Sequence, residues 1–234
     1  TVTTQEWDFT DGFIADINTM WNICREDAKV WNSTLNGISN DDDKTTHRLQ
    51  KITSSIDEMQ KILDKLKNAG LIYNVIFRNG KLIFDCKNEQ VMRCLMKAGQ
   101  VLELKTARAL RYLDRQNEVK KLNDIWVGVV INWNNFGLNK IRVLNEVDVM
   151  AMKGLIPMFI SCKNGDVEVD ELYKLNTVAN RFGGKYAKKV LVATEKLGMI
   201  VHRAEKMGIT VIDNVGEVDF NDEVTIEKIN SVLN

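Results

Sequence analysis

Asp148 and Lys163 stand in "NEVDVMAMKGLIPMFISCKNG", residues 145–165, two apolar runs separated by Gly154 and Pro157. Read as neighbouring strands, the runs carry the acid in the first and the lysine at the end of the second. Side chains alternate faces along a strand, so Ser161 and Lys163 point one way and Cys162 the other, with its carbonyl free to turn toward the first face. Glu146 and Asp148 likewise share a face of their own strand. The acid and the lysine can then converge where the two strands diverge. Carboxylates beside a lysine suit metal-dependent phosphodiester hydrolysis: hard oxygen atoms hold Mg²⁺ or Mn²⁺, and the ion lowers the pKa of a bound water. One helix upstream, Glu103 sits amid Val101, Leu102 and Leu104, an acid on the apolar side of an otherwise well-patterned helix. Taken alone, each residue has a plainer reading: Asp148 as a strand-end cap, Glu146 as a surface acid, Glu103 as half of a surface salt bridge.

Such a set needs a sheet with helices over it, and the pattern after Gly99 supplies one. "QVLELKTARALRYLDRQ" is an amphipathic helix; "IWVGVVINW", "VDVMAMKG" and "IPMFISCK" are strands; "DELYKLNTVANRFGG" is a helix ended by glycines. "KKVLVAT", "LGMIVHRAEKMG", "ITVIDN" and "VTIEKINSVL" continue as strand, helix, strand and helix. The expected fold is α/β (α+β), a mixed sheet flanked by helices over residues 99–234. Before it, residues 44–98 read as a small winged-helix-like module: a helix from His47 to Ala69, then two β-rich runs about a tight turn at Asn79 and Gly80. Residues 1–40 read as a helical, tryptophan-rich segment, and "SNDDDKTT" at 39–46 marks the boundary.

Lysine plus arginine equal aspartate plus glutamate at 32 each, so a nucleic-acid surface has to be a local patch. "RFGGKYAKK" offers Arg181, Lys185, Lys188 and Lys189, and Lys174 stands with Tyr173 and Asn176 on the helix after the motif; these are the candidates for gripping a substrate backbone. A solvated helix end is the alternative. The four cysteines are widely spaced, with only His47 and His202 to assist them, which points to reduced, packed thiols in a cytoplasmic protein rather than a zinc site. No run approaches the roughly 18 apolar residues of a membrane span.

The acid, strand and lysine spacing resembles the PD-(D/E)xK nuclease superfamily, whose fold is a restriction-endonuclease-like mixed sheet. The longer stretch, from "AGQVLELKTARAL" and "IWVGVVINW" through "NEVDVMAMKGLIPMFISCKNG" to "DELYKLNTVANRFGGKYAKKVLVAT", is similar to the nuclease portion of CRISPR-associated CARF-domain nucleases. These are ancillary effectors of type III antiviral defence. The resemblance implies a homodimeric, Mg²⁺- or Mn²⁺-dependent endonuclease that cleaves single-stranded DNA and RNA or nicks duplex DNA. It also implies activation by a cyclic oligoadenylate through an amino-terminal sensor domain. Only about forty residues precede the winged-helix-like segment here, so the expectation is that the sensor lies outside this chain and that the tryptophan-rich start once packed on it. Carried across residue by residue, Glu103 and Asp148 are metal ligands, Glu146 an acidic neighbour, Lys163 the motif lysine, and the Cys162 carbonyl a further ligand. Ser161 departs from the pattern, standing where a second carboxylate belongs. A serine hydroxyl brings no charge, which predicts a one-metal site of reduced Mg²⁺ affinity. It also leaves room for a catalytically silent module that binds nucleic acid or assembles a dimer. A nucleotide-binding domain is a third reading, but neither GxGxxG nor GxxxxGK[ST] is present.

Overall fold

The computed structural model describes residues 2–40, 47–52, 57–116, 121–132, 144–218, 220 and 223–234. In chain order its first elements are β1 (Val2–Gln5), α1 (Asp11–Glu26), α2 (Ala28–Leu35), β2 (Ile38–Asn40), β3 (Arg48–Ile52), α3 (Asp57–Asn68), β4 (Ile72–Arg78), β5 (Lys81–Cys86) and α4 (Glu89–Met96). Then follow α5 (Gln100–Gln116), β6 (Asp124–Asn132), β7 (Leu144–Lys153), β8 (Ile156–Lys163), α6 (Val169–Gly183), β9 (Lys188–Ala193), α7 (Gly198–Lys206), β10 (Ile209–Ile212), α8 (Val215–Val218) and α9 (Glu223–Leu233). These fall into two compact units, Asp8–Leu102 and, separately, the residues up to Trp7 with Glu103–Asn234.

In the smaller unit, α1 begins at Thr10, whose hydroxyl accepts from the Phe13 amide at 3.3 Å, and it buries Phe13, Ile17, Met20, Trp21 and Cys24 along one side. Trp21 and Trp31 are fully buried, and Trp31 Nε1 donates to the Ala98 carbonyl at 3.0 Å. Trp31 thus has its hydrogen-bond partner inside this unit. Four antiparallel strands form a sheet in the order β2-β3-β5-β4. The β4–β5 hairpin turns through Asn79 and Gly80, at φ of 53° and 69°, the two left-handed residues of a type I′ turn. Arg48–Ile52, expected as the first turn of a helix, is a strand instead. Leu49 and Lys51 alternate inward, and pairing to both β2 and β5 overrides the local helical spacing. Buried Lys51 donates to the Ser33 carbonyl at 2.9 Å and to that of Asn36, at the end of α2.

The larger unit is a six-stranded mixed sheet in the order β1-β6-β7-β8-β9-β10, parallel across β8, β9 and β10 and antiparallel elsewhere. One face packs Phe159, Leu191, Ile209 and Val211 against Leu172, Leu175 and Ala179 of α6 and Ala204 of α7. The other brings Ile160, Val190, Val192 and Ile212 against Thr106 and Leu110 of α5 and Ile229 and Val232 of α9. Helices on both faces of a sheet with apolar strands are what the alternating pattern predicts. Gly183 ends α6 in close contact: a Cβ there would lie 2.5 Å from Ala187 Cβ, 2.6 Å from Phe159 Cε2 and 2.9 Å from Pro157 Cγ. Only glycine lets the helix end sit this near β8. Among the described residues, no helix is long and apolar enough to cross a membrane.

Candidate active site

The last register pair of β7 and β8 on this side is Val149 with Ile160; one step on, Asp148 faces Ser161 where the strands part. Asp148 Oδ2 accepts the Cys162 amide at 2.7 Å and lies 3.3 Å from the Ser161 hydroxyl, which donates to it. A side-chain carboxylate thus takes the amide that a continuing ladder would give to the β7 backbone. In a strand the N–H and C=O of one residue point to the same neighbour, so the Cys162 carbonyl shares the Asp148 side. The next carbonyl, that of Lys163, turns the other way and accepts the Thr194 amide at 3.0 Å. The buried Thr194 also accepts the Gly165 amide on its hydroxyl at 2.8 Å, which ties down the chain just after Lys163.

The Lys163 ammonium sits 2.6 Å from Glu171 Oε2, and the Lys174 ammonium 2.8 Å from Glu171 Oε1. Glu171 lies in the first turn of α6, where the helix dipole favours negative charge. Partial burial pushes its carboxyl up, but the hydrogen bonds from Lys163 and then Lys174 outweigh it and hold the group below its ordinary range. Glu171 in return raises exposed Lys174 above the usual lysine value. Together Glu146, Asp148, Ser161, Lys163, Glu171 and Lys174 line a cleft of about 220 Å³. Three carboxylates against two ammonium groups leave it one net negative charge.

Other expected residues stand elsewhere. Glu103 is 1% exposed on α5 and does not line the cleft. Thr106, one turn further along α5, touches Cys162 Sγ at 3.6 Å, so this face of the helix meets the side of β8 opposite Ser161 and Lys163. Arg181 lies ten residues along α6 from Glu171, about 15 Å at 1.5 Å per residue. Exposed Lys185 rests over its neighbour Tyr186, 5.7 Å from the ring centre. Lys188 donates to the Val232 carbonyl at 2.5 Å, beside Lys153, which donates to the Leu233 carbonyl at 2.7 Å; both hold the end of α9. Lys189 donates to Asn176 Oδ1 at 2.8 Å and the Met207 carbonyl at 2.6 Å. Of the expected substrate-gripping set, Lys174 alone lines the cleft. Tyr173 is exposed and stacks under Arg203, 5.2 Å from ring centre to guanidinium. Glu171 was not anticipated; the available signal was an acid in the first turn of the helix that follows the motif lysine.

Among the described residues, no three His, Cys, Asp or Glu side chains stand as a ready-made cage for a metal. The hard oxygen donors that do share the cleft, Asp148 and Glu146 with the Cys162 carbonyl beside them, are of the kind Mg²⁺ and Mn²⁺ take, with water completing the shell.

The fold is that of an α/β domain with a mixed six-stranded sheet whose diverging strands open a charged cleft. Residues 88–229 match the Card1-like endonuclease domain, and the chain belongs to that family. Two solved structures share the architecture. Protein VC1899 from Vibrio cholerae is 19% identical, with a TM-score of 0.67 over 97% of this chain and 58% of that one. Can2 from Sulfobacillus thermosulfidooxidans, solved in complex with cyclic tetra-adenylate, is 16% identical, with a TM-score of 0.60 over 100% of this chain and 58% of that one. At such identities the likeness speaks for the fold, and the chain spans under two thirds of either relative. No curated protein matches the sequence.

Proposed function

We propose that this chain is the metal-dependent endonuclease part of a CRISPR type III defence protein, cleaving phosphodiester bonds of DNA or RNA in the β7–β8 cleft. The observation that carries the reading is the convergence of Asp148, the Cys162 main chain and Lys163 in one open, polar cleft of an endonuclease-family domain. Asp148 with the Cys162 carbonyl, and Glu146 beside them, would hold Mg²⁺ or Mn²⁺; the bound ion supplies a water acidic enough to ionise near neutral pH. Lys163 holds its ammonium at the cleft, where it would position an attacking water and neutralise charge on a bound phosphodiester. Ser161 steadies the Asp148 carboxylate by hydrogen bond and adds no charge, which favours Mn²⁺ over Mg²⁺. The cleft's single net negative charge is balanced by a divalent cation together with one phosphodiester. Glu103, buried on α5 and not among the residues lining the cleft, is left out of the proposed ligand set. Both solved relatives are longer than this chain, so a homodimer and a cyclic-oligoadenylate response through a sensor domain belong to the proposal for the whole protein.

The test is cleavage of labelled single-stranded DNA, single-stranded RNA and supercoiled plasmid with Mn²⁺, Mg²⁺ or EDTA, wild type against Asp148→Ala. Metal-dependent cutting that disappears in the variant supports the reading. Mn²⁺ binding without cutting of any substrate favours a silent module, the alternative that Ser161 keeps open.

A further inference from the structure

We propose that Glu171, on α6, is the positioning residue for Lys163; the inference rests on the cleft being the nuclease site. Lys163 is the final residue of β8, and its four-carbon stem has no intrinsic preference for one direction. Something must aim its ammonium. The Glu171 carboxylate does so at 2.6 Å, with side-chain exposures of 28% for the lysine and 23% for the acid, so the pair is sheltered without being sealed from substrate. Lys174 takes the opposite oxygen at 2.8 Å, which fixes the carboxylate from two sides.

Glu171 is itself carried on a rigid mount. Its neighbours Leu172 and Leu175 are buried in the core between α6 and the sheet, and its amide donates to the Glu168 carbonyl at 3.1 Å. An acid-x-lysine strand would place a carboxylate two residues before the lysine on the same face. Here that position is Ser161, and an acid from the next element stands within hydrogen-bond distance of the lysine instead. Both Glu171 oxygens are engaged by ammonium groups. That pattern fits a residue that holds a lysine rather than one that binds a metal.

Acting through Lys163, Glu171 affects the chemical step and leaves metal affinity alone. Wild type, Glu171→Gln, Lys163→Ala and the double variant are compared for Mn²⁺ binding by calorimetry and for cleavage of labelled single-stranded DNA. Glu171→Gln should lower kcat by about 10- to 100-fold, the size of effect expected of a misaimed group. KM and Mn²⁺ affinity should stay within about twofold, and the same change in the Lys163→Ala background should cost less than about twofold, because the residue it aims is gone. Nuclear magnetic resonance of lysine ammonium groups supplies a reading without turnover: the Lys163 signal should be sharp in wild type and lost to exchange in Glu171→Gln, with Lys188 unchanged.

Wild-type cleavage by Glu171→Gln overturns the proposal. So does an equal loss in the Lys163→Ala background, an ammonium signal indifferent to the substitution, or a tenfold loss of Mn²⁺ affinity, which would make Glu171 a ligand. If the wild type neither binds Mn²⁺ nor cleaves, the nuclease reading falls first and takes the proposed role with it. If Asp148→Ala abolishes both while Glu171→Gln changes neither, only the role of Glu171 falls.

Discussion

The two ends of α6 carry the same kind of side chain and use it oppositely. At the first end, Lys163 and Lys174 meet one carboxylate at the edge of an open cleft. Beyond the other end, Lys188 gives its ammonium to a main-chain carbonyl of α9. A lysine bonded to a helix carbonyl belongs to the fold, since its ammonium is committed to the main chain. A lysine paired with a carboxylate beside solvent can exchange that partner for a phosphate. The partner, more than the density of basic residues in the sequence, distinguishes a substrate contact from a structural one.

The largest expected effects lie in the cleft. Asp148→Ala and Lys163→Ala should each reduce Mn²⁺-dependent cleavage by about 100-fold or more, within the range of lost acid–base or charge-stabilising groups. Initial rates on single-stranded DNA check this, with circular dichroism to show that the variants fold. Lys188→Met should leave the rate within about twofold of wild type but lower stability by about 1 kcal/mol through a lost carbonyl partner. At this chain length that is a fall of about 2–4 °C in Tm, read by calorimetry. If Lys188→Met instead loses activity at unchanged Tm, the contrast between the two ends is wrong. Paired replacement Arg181→Ala with Lys185→Ala should change cleavage at 0.15 M salt by less than about twofold, because both side chains lie a helix length from the cleft.

The smallest effect is in the pH dependence, and it has the same sign at the two ends but falls in different pH windows. Glu171 has a native pKa below its ordinary 4.5, so in acid the unfolded chain binds more protons. Its contribution is complete above 4.5 and is lost as pH falls through the native value. Lys188 is lowered from 10.5, chiefly by burial and then by nearby Lys153. Just below 10.5 the unfolded chain again holds more protons, so stability from this group rises with pH there. Thermal midpoints should therefore show a shallower acid limb in Glu171→Gln and a steeper alkaline fall in Lys188→Met.

Much of this was legible in the sequence. The strands β6 to β10 are apolar runs because helices cover both sheet faces, and Asn79-Gly80 announces its hairpin. Period two alone puts Ser161 and Lys163 on one face of β8 and Glu146 and Asp148 on one face of β7, but that Asp148 meets Ser161 depends on the register between the strands. What was missed depends on distant pairing. Val2–Gln5 is a short, mostly exposed edge strand, and Arg48–Ile52 is extended only because β2 and β5 flank it. Glu171 reaches Lys163 through the way α6 folds back over the sheet, which local spacing does not encode. Lys188 looked available because its carbonyl partner lies 44 residues further along the chain.

Gly183 makes α6 a lever. The helix is pressed against Phe159 and Pro157 at that end, with no room for a methyl group, and carries Glu171 at the other, twelve residues or about 18 Å away. Alanine at 183 would force the helix end or its neighbours Ala187, Phe159 and Pro157 to shift, and any tilt of the rod would be delivered to the ammonium of Lys163. A substitution that touches neither metal nor substrate would then detune the cleft from the far side of the domain, slowing turnover out of proportion to the stability it costs.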